Sequence, residues 1–460
     1  MSKIRFFLSG GPGEDEIKKI HENALRILET IGIHTPSQYA LKQVAGEKGI
    51  KIKNNTRICI APEIIEQLLG PFPKNGDNNL GDKLSFHVSG YALRCYDLRT
   101  GEIKKPTTTD MIEFTKIVHT LGVQGSSIVM PQDLPQKLAE VATYKLCLDV
   151  SDKVWGAGIF SDAEVFDIVQ EILVAIGLPY TIGMHMISPL AFDPFLLEMA
   201  IRYIPKKATF SVGNMPMRGA TCPIDLASSL SQSCAEVLGG AAILKILAPD
   251  SRVSFAPFVY PFDMRYATIV YGGPDFIIGN LVLNQIAKFY GTSVMAKACN
   301  TMAKKPDDAQ AGINAAGFIF MMLAGMKEFG WSGTCCIDEI GSVEKMIIDY
   351  EIFRFAKHIV EGFEFKDRGN LVEIIDECVK EGTFLAHQDT LNNYRKILFE
   401  SDLFSNDNFM AWDREGRKSL LDRARTKAMK LLGSHSFTRD KEQQKELDKI
   451  WEKAKQMFTA

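Results

Sequence analysis

Two rhythms of apolar and polar positions divide the chain. Early on, Ile17, Ile20, Ala24, Ile27, Leu28 and Ile31 recur at three- and four-residue spacing. That spacing makes one apolar helix face, with Gly32 placed to cap it. Ile50–Lys53 and Arg57–Ile60 flank Asn54-Asn55 as a hairpin, and a second hairpin is predicted to pair residues 93–97 with 102–104 across a turn containing Gly101. From residue 123 short β-rich runs alternate with helical periods. The strand candidates are 125–130, 154–158, 180–186, 209–213, 253–258, 293–299 and 331–336, with an eighth near 362–365. Helices are predicted between them over 165–176, Leu226–Leu247, 276–290 and 312–327.

Repeated strand–helix alternation predicts an α/β fold with a parallel sheet. Eight units point to a TIM (β/α)8 barrel rather than a short open sheet, with a doubly wound sheet as the alternative. The expected organisation is an N-terminal α+β region over 1–122, the barrel over 123–369 and a helical extension over 370–460. Within that extension the charged segment 441–455 reads as a solvated or partner-facing helix, with solvated the favoured reading.

Composition narrows the class of function. The 460 residues are 46% hydrophobic and carry a formal net charge of -3, so nothing favours nucleic acid or an acidic membrane. Nine scattered cysteines fit reduced thiols, and no apolar run reads as a signal peptide or membrane span. A soluble, cytoplasmic protein is expected.

In such barrels the chemistry lies at the C-terminal ends of the strands. Those ends bring Met130, His185, Asn214, Phe258, Tyr260, Cys299, Asn300, Asp338 and Glu339 into question, without a phosphate-binding glycine loop. Aromatic residues concentrate at Phe255, Phe258, Tyr260, Phe262 and Tyr266, with Tyr91, Tyr96, Trp155 and Trp331 elsewhere. Aromatic faces can hold an alkylammonium cation, each desolvated contact contributing at best ~2 kcal/mol. Most single rings in a chain of this size belong to the core, so the run at 255–262 is the stronger signal. Asp225, Ser229, Gln232, Glu236 and Gly240 form a polar stripe on an apolar helix, suited to a cavity lining or to a helix contact. No metal is expected: Cys335 and Cys336 are adjacent rather than spaced for chelation, and Cys299 and His185 are more readily core residues than ligands. His387 could be an acid or a ligand, although an isolated histidine in a tail is more often structural.

Five segments together resemble the trimethylamine methyltransferase family. The first is Asn214-Met-Pro-Met-Arg-Gly-Ala-Thr-Cys-Pro-Ile-Asp-Leu-Ala, continuing to Ala235-Glu236-Val-Leu-Gly-Gly240. The others are Tyr96-Asp97 through Thr100-Gly101-Glu102 and Pro106, Asp263-Met264-Arg265 before Tyr271-Gly272, Pro306-Asp307-Asp308-Ala309-Gln310-Ala311-Gly312, and Asp349-Tyr350-Glu351-Ile352. The resemblance implies a barrel with terminal extensions, whose members demethylate methylamines or quaternary amines. The methyl group passes to Co(I) of a separate cognate corrinoid protein, which brings the cobalamin; none is held tightly by this chain. Some members carry pyrrolysine near the end of strand six. This sequence has Cys299-Asn300-Thr301-Met302 there, and so is similar to the members acting on glycine betaine and related quaternary amines.

On that reading Glu236, Asn300 and Asp338 are the catalytic candidates. Tyr91, Phe258, Tyr260 and Trp331 would cage the substrate cation, with Glu236, Asp263 or Asp338 balancing its charge. A substrate carboxylate would need a donor from His185, Arg218, Arg265 or Asn300; Tyr96 and Cys299 complete the substrate-binding set. A homo-oligomer is expected. Two rivals are a barrel lyase or isomerase acting on a small anion, and a non-catalytic homologue that still binds a corrinoid protein.

Overall fold

The computed structural model describes residues 3–73, 83–365 and 369–459. Two arcs of parallel strands organise it. In the first, Thr209–Asn214 lies between Thr181–Ile187 and Val253–Phe255, with Val212 opposite Met184 on one side and Phe255 on the other. In the second, Ser85–Val88 lies between Glu328–Ser332 and Gln124–Gly125. Single parallel bridges extend this arc to Ala296 at one edge and Val154 at the other. Of the predicted strands, 154–158 and 293–299 therefore survive only as single bridges.

Helices cover the outer face of the arcs. Ile182, Met184 and Met186 alternate inward to the helical layer, while Thr181, Gly183 and His185 open to the other side. The helix Leu226–Leu247 spans the residues its pattern predicts and is buried almost all round. Two glycines allow it to be packed on both faces. A Cβ on Gly239 would come within 2.5 Å of Leu28 and 2.6 Å of Ile33, and one on Gly240 within 2.8 Å of the Met186 sulfur. By length and composition this helix could cross a membrane, but here it is a core element.

The N-terminal region follows its pattern closely. The helix Glu14–Thr30 and the hairpin Ile50–Lys53/Arg57–Ile60 form as expected, with Asn54 and Asn55 at φ 49° and 54° in the left-handed conformation that a tight hairpin turn uses. Arg94–Tyr96 pairs with Ile103–Lys104 as the second hairpin. Ser85–Val88, which joins the second arc, comes from this same region.

Two expectations are corrected. The segment near 362–365 is not a strand of the parallel sheet, since Phe363–Glu364 pairs antiparallel with Lys3–Ile4 in a separate ribbon. The segment 441–455 is not a solvated helix. Lys441–Phe458 is amphipathic and buries Leu447, Ile450, Ala454 and Phe458 against Leu138, Val141, Tyr144, Val165, Ile168 and Ile172. Its charged residues flank that stripe, and Asp448 and Lys453 pair across the seam with Lys145 and Glu171.

Candidate functional site

Three of the predicted aromatic residues converge after the strands. Phe258 follows Val253–Phe255, Tyr260 lies two residues on, and Trp331 comes from Glu328–Ser332. Trp331 sits at a register shift between Phe329 and Ser332 with φ 61°, a strained conformation for a bulky residue. The ring planes of Phe258 and Trp331 cross at 74°, with centroids 6.5 Å apart.

The space between the rings is filled. The Lys297 ammonium lies 3.9 Å from the Phe258 centroid, 4.3 Å from that of Trp331 and 4.5 Å from that of Tyr260. It also contacts the Tyr260 hydroxyl. The rings predicted for a substrate cation therefore surround a cation of the chain itself. Lys297 is only 5% exposed, and burial brings its pKa down to about 7 against the opposing pull of Asp338. A second monocation within ~5 Å would meet about 3 kcal/mol of repulsion from the protonated lysine at an effective dielectric near 20.

Beside the rings lies a cavity of about 710 Å³. Tyr91, Asp338, Glu339, Glu140, Arg94, Met130 and Ile337 are among its lining residues. Burial raises the pKa of Asp338, opposed by the hydrogen bond it accepts from the Thr334 hydroxyl at 3.1 Å and by the charge of Lys297. Tyr91 is 42% exposed, and its phenol is pushed up by burial and then by Asp338. His185 opens onto the inner face of its strand. Its pKa is lowered by burial and then by the charge of Lys297, so the ring is held towards its neutral form. A Cβ on Gly183 or Gly213 would meet nothing within 4 Å except that imidazole, at 3.8 and 3.9 Å. These glycines leave a chamber around His185.

Two buried networks hold the rings. Glu236 accepts hydrogen bonds from Ser188 Oγ at 2.7 Å, Leu190 N at 3.0 Å, Asn214 Nδ2 at 2.7 Å and Gln232 Nε2 at 2.9 Å. Asn214 Oδ1 in turn accepts from Phe258 N at 3.0 Å, and Ser233 Oγ donates to Phe258 O at 2.6 Å. Glu236 is thus saturated and touches no ring; it fixes the backbone that carries Phe258. In the second network Lys345 pairs with Asp349 and donates to Cys299 O at 2.6 Å, while Ser332 Oγ donates to Asp349 at 2.8 Å. This bolts the segment after Lys297 to the strand bearing Trp331. The Cys299 thiol is fully buried, and burial raises its pKa.

Most of the remaining candidates direct their side chains to other partners, although the backbone N–H of Arg218 donates to Tyr260 O and that of Asn300 to Lys297 O. Asp263 and Arg265 pair with each other, and the guanidinium lies over Tyr266. The Tyr96 hydroxyl donates to Lys304 O at 2.9 Å, and Arg218 Nε to Ile224 O at 3.0 Å. His387 caps the helix Gln388–Ile397. The Asn300 side chain is buried, with neither amide atom partnered among the described residues, so it keeps unused donors and an acceptor. Among the described residues no group of three or more His, Cys, Asp or Glu could hold a metal ion. Sequence reasoning missed Lys297, although a lysine in the apolar run Val294-Met-Ala-Lys297-Ala-Cys299 was the available signal.

A family model described as trimethylamine methyltransferase matches residues 12–458. The chain is 26% identical over 427 residues to the glycine betaine methyltransferase of Desulfitobacterium hafniense (strain Y51), covering 87% of this chain and 88% of that one. It is 22% identical to a trimethylamine methyltransferase of another strain of that organism, over 95% of this chain and 92% of that one. It is 24% identical to the L-carnitine:corrinoid methyltransferase of Eubacterium limosum, over 90% of each. The chain belongs to the trimethylamine methyltransferase family and is an enzyme of the corrinoid-dependent methyltransferase class.

Proposed function

We propose that this member of the trimethylamine methyltransferase family moves a methyl group from a quaternary amine, glycine betaine or a related betaine, to Co(I) of a cognate corrinoid protein. The observation that carries the reading is the cavity beside the three rings, where one arginine faces Asp338, Glu339 and Glu140 and where Tyr91 offers an exposed aromatic face. Such a lining attracts a cation and disfavours a small anion, which argues against a lyase or isomerase acting on an anionic substrate. The matches to methyltransferases over nearly the whole chain support it.

In this reading the two arcs are halves of one closed TIM barrel, with residues 1–122 as an N-terminal region that lends it the strand Ser85–Val88 and 370–460 as a C-terminal extension. The partner protein supplies the Co(I) nucleophile. This chain does the positioning: Tyr91 holds the methylammonium, with Asp338 balancing its charge. As the methyl carbon is taken, the C–N bond breaks with its electron pair left on nitrogen. The leaving amine departs neutral, so no proton donor is needed. Holding the methyl at a near-attack distance of ~3–3.5 Å accounts for much of the acceleration. Exposed Tyr91, Leu93, Met215, Ile224 and Met264 give an apolar rim suited to a docking protein.

The enzyme works in the cytoplasm, consistent with its nine free thiols. It is a homo-oligomer, the exposed Leu371, Val372, Ile375 and Val379 on one helix being covered by another copy. Sedimentation velocity checks this, and a monomer at micromolar concentration refutes it.

The activity test mixes the enzyme with a reduced corrinoid protein, or with cob(I)alamin, and glycine betaine, carnitine, choline or trimethylamine. Loss of the Co(I) absorbance with a betaine is expected. No loss with any methylated amine and either acceptor overturns the reading.

A further inference from the structure

The three rings pose a question that quaternary amine chemistry alone leaves open: why a lysine occupies them. An ammonium has three N–H donors. Among the described residues that of Lys297 has one hydrogen-bonding partner, the Tyr260 hydroxyl, and no carboxylate within 4 Å. A buried charge is ordinarily paired, and this one faces rings on three sides with no counter-ion in contact. Asp338 is near enough to act on it through space, yet its own hydrogen bond goes to Thr334. The other ionisable group that feels Lys297 is His185, held towards its neutral form across the chamber floored by Gly183 and Gly213. The site is therefore polarised. Positive character gathers at Lys297, and negative character at Asp338, Glu339 and Glu140 in the neighbouring cavity.

We propose that Lys297 is the anion-recognising residue of this site: its ammonium receives the carboxylate of a zwitterionic methylammonium substrate, whose cationic end lies towards Tyr91 and Asp338. The proposal rests on the functional reading above and deepens it. It makes Lys297 a specificity residue that admits betaines and turns away cations lacking the anion. The rings hold the ammonium in place by their faces, and its free N–H positions are left for the incoming oxygens. A monocation with no carboxylate would bring a second positive charge to the lysine without compensation, so choline and tetramethylammonium are disfavoured. The depressed affinity of Lys297 for its proton adds a signature: a carboxylate arriving beside it favours the protonated form, so binding above neutrality takes up a proton.

Isothermal titration of the full chain without any corrinoid tests this apart from turnover. Glycine betaine, carnitine, choline and tetramethylammonium are titrated at pH 8 in two buffers of different ionisation enthalpy. Wild type is expected to bind the betaines with proton uptake and the plain cations more weakly, without it. Lys297→Met should weaken glycine betaine by about 10–100-fold, as for a lost charge-assisted hydrogen bond, while tetramethylammonium binds as well or better. Equal loss for all four ligands, or unchanged betaine affinity in Lys297→Met, overturns the role of the lysine. So does betaine binding by wild type without proton uptake, a result that needs no variant. Failure of wild type to bind any of the four removes the quaternary amine reading itself, and the proposal with it.

Discussion

At the scale of single residues, Lys297 makes the sharpest claim on stability as well as specificity. Its pKa falls from 10.5 to about 7 on folding. Between those values the unfolded chain holds the extra proton, so the contribution of this group to stability rises as pH rises through that window. Below pH 7 the cost of burying the cation is fully present. Lys297→Met should therefore gain on wild type most at pH 6, by up to about 5 kcal/mol, and progressively less towards pH 10. Urea unfolding at pH 6, 8 and 10 measures the difference, and a gap that stays constant with pH contradicts it. Tyr91 is exposed and carries little of the fold, so Tyr91→Ala should leave the unfolding midpoint within 1–2 °C while raising KM for a betaine about 10-fold, the scale of one lost cation–π face. Residue identity was legible in sequence where chemistry is unusual for its place, as in the aromatic run that supplied Phe258 and Tyr260. It was illegible where a side chain's partner lies far along the chain. Nothing local says that Glu236 is consumed by Ser188, Leu190 and Asn214.

At the scale of elements, period was a good guide to helices and a poor one to short strands. Leu226–Leu247 emerges at its predicted bounds because 22 residues of apolar pattern average out local noise. Ser85–Val88 has four residues, two of them polar, and its place in the second arc depends on partners near residues 124 and 328. The run at 362–365 is apolar enough for a strand, but its pairing partner is Lys3–Ile4, which no local pattern reveals. The glycine pair in the long helix gives a test. Gly239→Val would drive methyl groups into Leu28 and Ile33 and should cost about 2–3 kcal/mol, despite any gain from replacing a helical glycine. Thermal unfolding checks this, and a neutral or stabilising result denies the close approach. The Lys345–Asp349 pair gives another. Asp349→Ala leaves a buried cation uncompensated and should cost about 3–5 kcal/mol, whereas Lys345→Met/Asp349→Leu should recover much of it. Loss of betaine affinity in Asp349→Ala is also expected, because Asp349 holds Ser332 next to Trp331.

At the scale of the whole molecule, the tail is part of the enzyme's core rather than an appendage. Lys441–Phe458 lies over Gln136–Val150 and Ala163–Ala175, and Leu420–Gly433 packs on Val343–Glu361 and Thr108–Leu121. Charge density along the last helix suggested solvent, because net polarity says little about one narrow apolar stripe. Leu447→Asp places a carboxylate in that seam and should lower the unfolding midpoint by at least 5 °C while leaving the rings untouched; an unchanged midpoint would show the helix to be dispensable.

The same seam sets an order of events while the chain is being made. Tyr144, Val165 and Ile172 can fold into their helices early, yet the residues that roof them lie about 275–315 positions further on. At ~5–20 residues per second the groove stays bare for roughly 15–60 s of translation. A nascent chain of this enzyme is thus a client for a holdase, and its half-made form is the one most exposed to aggregation.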